Sequence, residues 1–312
     1  MIEEEKIVKI SPASLVVILI FCMVFITGCI DGGSEMSSYE EDGSLDLNNT
    51  TTEPIMSGSI EIEDVGEFSF DPEKIGTVRN DIFRKGYFSI FDILVYLNST
   101  EVIQMKYHFD ESMNTHVIDS IDGEKGWWYM AYYDGGWPEE NTFRMDHYPY
   151  KDKMYIRVFE EDEIVIEEIY EVFREETSRR EDEGGDLIIP EVLIRSPSND
   201  LRFEDVKVTA HNLRSDIFQP GVITAIDVIM SLEEQGKITY AIKWYESIGT
   251  AEIVKNYYVE AINDDVAYGR CGFVYEDGAT KYRGVKGNHI HVQSDIRVLN
   301  SPEYQEWFWI CL

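Results

Sequence analysis

Apolar positions in this chain alternate in some stretches and recur at helical spacing in others, and the same succession occurs twice. Ile60, Ile62, Phe68 and Phe70 alternate within Ser57 to Phe70. Val192, Ile194, Leu201, Phe203, Val206 and Val208 do so within Pro190 to Val208, so both stretches predict half-buried strands. A helix start follows in each. Ser89 with Asp92, and Thr224 with Asp227, have the three-residue spacing of a capping box, in which hydroxyl and carboxylate satisfy free N–H groups at a helix N-terminus. The spacing predicts helices over 90–97 and 225–235, with Gly236 as the stop of the second. Strands then return. Ile118–Ile121 matches Val259–Ile262, the aromatic run Gly126–Gly135 matches Gly269–Gly278, and Tyr150–Val158 matches Tyr304–Leu312. The Asp134-Gly135 ending of the aromatic run is a tight-turn signal. The predicted class is α+β: two tandem domains, each with one helix packed on a mostly antiparallel sheet.

Identity supports the duplication. At an offset of 135, seven of the nineteen positions from Arg79 to Leu97 are identical, where chance gives about one. The expected organisation is a first copy at 58–159, an acidic linker at 160–189, and a divergent second copy at 190–312. Glu160 to Asp186 carries thirteen carboxylates. Its apolar Ile164, Ile166, Ile169, Tyr170 and Phe173 predict a short helix or an extra strand, and Gly184-Gly185 ends it.

The N-terminus gives an address. Leu15 to Ile26 is an unbroken apolar run of twelve, short for a span that needs about 20 residues but right for a signal-peptide core. Ile26-Thr27-Gly28-Cys29 follows and resembles the lipobox of prokaryotic lipoproteins. That implies removal of residues 1–28 and a lipid on Cys29, at the outer face of the cytoplasmic membrane. Residues 29–57 are polar and predict a disordered spacer. Asn48, Asn49 and Asn98 begin glycosylation sequons. With Cys22 in the signal and Cys29 lipidated, Cys271 and Cys311 remain; in an oxidising compartment such a pair favours a disulfide over two buried thiols. The 312 residues hold 27 basic and 60 acidic side chains, a net charge of −33, which argues against a nucleic-acid partner.

Gly86, Ser89, Asp92 and Leu94, the Gly126-Trp127-Trp128-Tyr129 strand, the Asp134-Gly135 turn and the closing strand together resemble the DUF4430 domain of unknown function. That family is similar to the C-terminal β-domain of transcobalamin and intrinsic factor. The resemblance covers about 75 residues of the first copy and extends more faintly over the second. It implies a β-grasp-like fold and soluble-ligand binding. It makes a corrinoid one ligand class, although the helical domain that completes the corrinoid site in the relatives has no counterpart here.

Catalytic signatures are lacking: no Gly-x-Ser-x-Gly, His-Glu-x-x-His, P-loop or Cys-x-x-Cys occurs. His289 and His291 share a strand face but have no third ligand nearby, so no metal or cofactor is expected. The aromatic strand is the candidate site. Trp127, Tyr129 and Tyr133 point to one face, Trp128, Met130 and Tyr132 to the other, and Trp137 lies past the turn. If one face is open, it is a stacking platform for a planar ligand such as a corrinoid or glycan. The sequence therefore predicts a non-enzymatic surface lipoprotein that captures a small molecule. The alternative is an envelope protein making structural or adhesive protein contacts.

Overall fold

The computed structural model describes residues 58–132, 141–249, 251–284 and 292–311. In the first copy, β1 (Gly58–Ile62) and β2 (Gly66–Phe70) form a hairpin, and α1 spans Ile90–Ser99. A second hairpin, β3 (Met105–Asp110) and β4 (Thr115–Ile121), precedes β5 (Trp127–Tyr132) and β6 (Tyr155–Glu160). The sheet order is β2-β1-β6-β5, antiparallel except between β1 and β6. After α2 (Glu163–Asp182), the succession recurs as β7 (Leu187–Arg195), β8 (Asp200–Val208), α3 (Ile226–Glu234), β9 (Tyr240–Tyr245), β10 (Asn256–Ile262) and β11 (Asp265–Val266), closing with β12 (Cys271–Gly278) and β13 (Tyr304–Cys311). The second sheet, β12-β13-β7-β8, has the same order and the same single parallel pair, here β13 with β7. The class is α+β, with three α-helices and mostly antiparallel sheets among the described residues. None of those helices is long and apolar enough to cross a membrane.

Helix starts follow the local chemistry. Ser89 Oγ accepts from Asp92 N at 3.2 Å while Asp92 Oδ2 accepts from Ser89 N at 2.7 Å, completing the box. In α3 only half of it forms. Asp227 Oδ2 accepts from Thr224 N at 2.6 Å, but the Thr224 hydroxyl donates to the same carboxylate and caps no N–H. Both aspartates also hold the incoming chain, accepting from Val78 N at 2.7 Å and His211 N at 3.0 Å.

The acidic stretch between the copies is a full helix of 20 residues rather than a linker with a short element. Ile166, Ile169, Val172 and Phe173 fall on one buried face together with Glu176, which pairs with buried Arg144, and most of the other carboxylates occupy the opposite side. Asp162 caps its N-terminus through Ile164 N at 2.8 Å, and Gly184 and Gly185, at φ +69° and +94°, stop it.

The sequence match between the aromatic strands is corrected by three residues. Strand pairing sets Tyr129 opposite Val158 and Tyr275 opposite Trp307. Both tyrosines are buried, and both donate their hydroxyl to a loop carbonyl, Phe143 O and Val292 O. Tyr129 therefore corresponds to Tyr275, and Trp127 and Trp128 to Phe273 and Val274. Closing strands shift as well: Val158 corresponds to Trp307. Cys271 and Cys311 are directly opposed on β12 and β13 and are disulfide-bonded. On this register their equivalents are Lys125 and Asp162, not Trp128 and Arg157.

Candidate functional site

The copies meet through the segment that recurs best. Arg84 N donates to Ile217 O and Gln219 N to Ile82 O, both at 2.8 Å, and Phe83 lies 5.7 Å from Phe218. Each partner contacts the equivalent of itself, an internal version of a two-fold, isologous contact.

Beside this axis an arginine cluster occurs twice. Arg79 is buried, with Nη1 2.9 Å from Asp146 Oδ2 and Nη2 2.7 Å from Asp81. Asp146 also accepts from Thr115 Oγ1 at 2.5 Å and His116 N at 3.0 Å. In the second copy, Arg214 meets Asp295 and Asp216, each at 2.9 Å, and Asp295 accepts from Asn256 Nδ2 at 2.7 Å and Tyr257 N at 2.9 Å. Phe109 and Trp244 cover the two guanidiniums at 5.5 and 5.2 Å. Each cluster also receives a side chain from the other copy. Asn300 reaches His147 Nδ1 at 2.9 Å, and Lys151 Nζ reaches Asn256 Oδ1 at 2.8 Å.

Sequence reading found the arginines but missed Asp146 and Asp295. Arg79 and Arg214 are 135 apart, whereas Asp146 and Asp295 are 149 apart. Longer connections in the second copy absorb the difference, so comparison at one fixed offset loses the second pair.

Burial alone raises the Asp146 carboxyl, but the bonds from His116 and Thr115 and the Arg79 charge outweigh it, holding the group well below its usual range. Burial pushes His147 well below the ordinary histidine value, and Arg79 and Arg144 add to this against the pull of Asp146. The folded chain thus keeps His147 neutral while the unfolded chain protonates it below the ordinary histidine value of 6.5, so its contribution is present above that pH and lost on acidification. His211 works the other way: its bond to Asp227 raises it, so its contribution is lost as pH rises. His147→Gln is expected to gain stability relative to the parent as pH falls from about 7 to about 5, measured by urea unfolding. An unchanged difference across that range refutes a neutral His147.

The expected aromatic platform is corrected. Trp127 is 3% exposed and Tyr129 0%. Trp127 Nε1 donates to Glu124 O at 2.8 Å; Tyr129 packs against Phe143 and Tyr148; Trp128 lies under Tyr170 and Phe173 of α2. Both faces are covered, because the stretch expected as linker is a helix that lies on one of them. Tyr133, Trp137, His289, His291, Cys29, Asn48 and Asn49 lie outside the described residues. Asn98 is in the last turn of α1, its side-chain oxygen accepting from Met105 N at 2.8 Å. Among the described residues no group of three potential ligands is placed to hold a metal ion.

An open cleft lies at the junction instead, beside the Arg214 cluster. It encloses about 460 Å³, with Tyr87, Phe88 and Tyr150 contributed by the first copy and Trp244 and Lys255 by the second. Phe88 stacks on Tyr150 at 5.0 Å and 10°, fixing one wall. Tyr87 remains 37% exposed. The corresponding region of the first copy is bridged by α2, whose Arg174 contacts Met113 Sδ and whose Arg179 donates to Ser301 O. No protein-family model, curated protein or solved structure matches the chain.

Proposed function

We propose that this chain is a surface-anchored binding protein. A lipid on Cys29 holds it at the outer face of the cytoplasmic membrane, and the duplicated domain presents a small-molecule site at the junction of its copies. The junction cleft carries this reading. Its volume of about 460 Å³ lies within the usual range for small-ligand sites, and its walls join aromatic to polar groups. The resemblance to DUF4430 domains supports the same class of activity, with each copy a β-grasp-like unit. The second reading, an envelope protein working through protein contacts, is favoured by the burial of Trp127 and Tyr129, which removes the ligand platform expected from the sequence.

Cys29→Ser is expected to move the protein from the membrane to the soluble fraction, since residues 30–57 offer no apolar anchor of their own. Cys29→Ser protein that is processed and still stays with the membrane at the parent level refutes the lipid anchor. The released protein then serves for a thermal-shift panel of small molecules. A ligand that raises the melting temperature supports the binding reading; a silent panel together with a protein cross-linked on intact cells favours the contact reading.

A further inference from the structure

The geometry points to a carboxylated sugar, of the uronate type, as the ligand of the junction cleft. This rests on the binding reading above and names its ligand class. The cleft differs from its own symmetry mate in the side chains that line it. Tyr87, Tyr150, Lys151, Trp244 and Lys255 correspond to Val222, Leu299, Asn300, Phe109 and Asn114. Backbone contacts fix the pairing: Tyr150 N donates to Phe88 O at 2.9 Å and Leu299 N to Ile223 O at 3.0 Å, while Arg79 and Arg214 donate to Asn114 O and Lys255 O at 3.1 and 3.3 Å. The same backbone is thus built without the tyrosines, the tryptophan or the lysines. Trp244 covers Arg214 as Phe109 covers Arg79, and Lys151 crosses between the copies as Asn300 does, but the hydroxylated rings of Tyr87 and Tyr150, the larger indole and the two ammonium groups go beyond those shared jobs, and they converge on the half of the junction that α2 leaves uncovered.

Each part of the lining matches one part of a sugar acid. Exposed Tyr87 and the half-buried Trp244 offer ring faces, on which the C–H face of a pyranose packs. Glu73 and Asp152 are acceptors for hydroxyl groups. Lys151 and Lys255 bring positive charge to the second-copy wall, where Arg214 is already paired with Asp216 and Asp295. Asp216 also lines the cleft but is committed to Arg214. Among the described contacts none is made by the Lys255 ammonium, which is exposed. Burial brings the Lys151 amine down to about 8, with Arg214 and Lys255 adding to the fall and Asp295 opposing it. A carboxylate arriving there stabilises the charged amine. On a chain of net charge −33, a cationic wall in a cleft is the place where an organic anion gains most.

The test titrates digalacturonate into full-length Cys29→Ser protein by calorimetry and by tryptophan emission. Its dimethyl ester, which keeps the rings and hydroxyls and loses the charge, and indole-3-acetate, a flat carboxylate without hydroxyls, are the comparison probes. Digalacturonate is expected to bind, the ester about tenfold more weakly, and Lys255→Glu and Tyr87→Ala each to weaken binding about tenfold at an unchanged melting temperature. Affinity is expected to fall as pH rises through about 8. Trp244→Phe, which copies the residue in the mate, is expected to abolish the emission change. Equal binding of the ester, binding unaffected by Lys255→Glu, or binding of indole-3-acetate alone overturns the assignment. A neutral ligand found by the thermal-shift panel and displaced by Tyr87→Ala keeps the binding reading and rejects the sugar acid.

Discussion

Asp146→Ala is expected to destabilise the folded chain by about 3–5 kcal/mol, because it leaves buried Arg79 facing no internal carboxylate. Asp146 is fully buried and ties three parts of the first copy together: the Arg79 segment, the start of β4 at Thr115 and His116, and its own short turn. Exposed Asp81 remains as a partner on the outer side of the guanidinium but does not fill the cavity. The matching control is Asp81→Ala, whose carboxylate is largely solvated; its loss is expected to cost about 1 kcal/mol or less. Denaturant unfolding of the soluble Cys29→Ser protein reads both. Asp295→Ala repeats the test in the second copy. A loss for Asp146→Ala no larger than that for Asp81→Ala would falsify the view that the buried pair organises each copy.

The sequence carried the duplication because the residues at the two-fold contact recur at one offset. Arg79, Asp81, Ile82 and Phe83 have counterparts at Arg214, Asp216, Ile217 and Phe218, and the bridge between Phe83 and Phe218 explains why this stretch resists change. The α1 cap was legible for a local reason, since Ser89 and Asp92 need only their own backbone, whereas the expected Thr224 cap does not form. What was hidden depends on partners distant in sequence. Asp146 finds Arg79 across 67 residues, and nothing near Asp146 marks it as buried. The helix between the copies was obscured by its charge: thirteen carboxylates in Glu160 to Asp186 read as solvated linker, while four apolar residues of α2 suffice for its buried face. The junction cleft was illegible altogether, because its aromatic and basic residues come from five separated stretches. Only the correct equivalence between copies shows which of them the fold does not need.

That equivalence makes a strong claim about the tryptophan first expected to hold a ligand. Read from the sequence, Trp127→Ala weakens binding by about 1 kcal/mol or more and leaves the melting temperature nearly unchanged. The structure reverses this. Trp127 is sealed among the core residues of the first copy, with its indole N–H satisfied by Glu124 O, and its equivalent is the buried Phe273 of β12. Truncation opens a large cavity between the β5 strand and its neighbours, so Trp127→Ala is expected to cost about 3–5 kcal/mol. Trp127→Phe, the residue chosen by the other copy, keeps most of the ring and is expected to cost about 1.5 kcal/mol or less. The two variants separate size from identity: a ligand-stacking indole tolerates neither for binding but both for folding, whereas a core ring shows the graded loss. The measurement is again denaturant unfolding, with digalacturonate affinity as the second readout. Trp127→Phe with unchanged affinity and Trp127→Ala with a large stability loss place the aromatic strand in the scaffold. A stable Trp127→Ala protein would refute the core role assigned to the Trp127 ring.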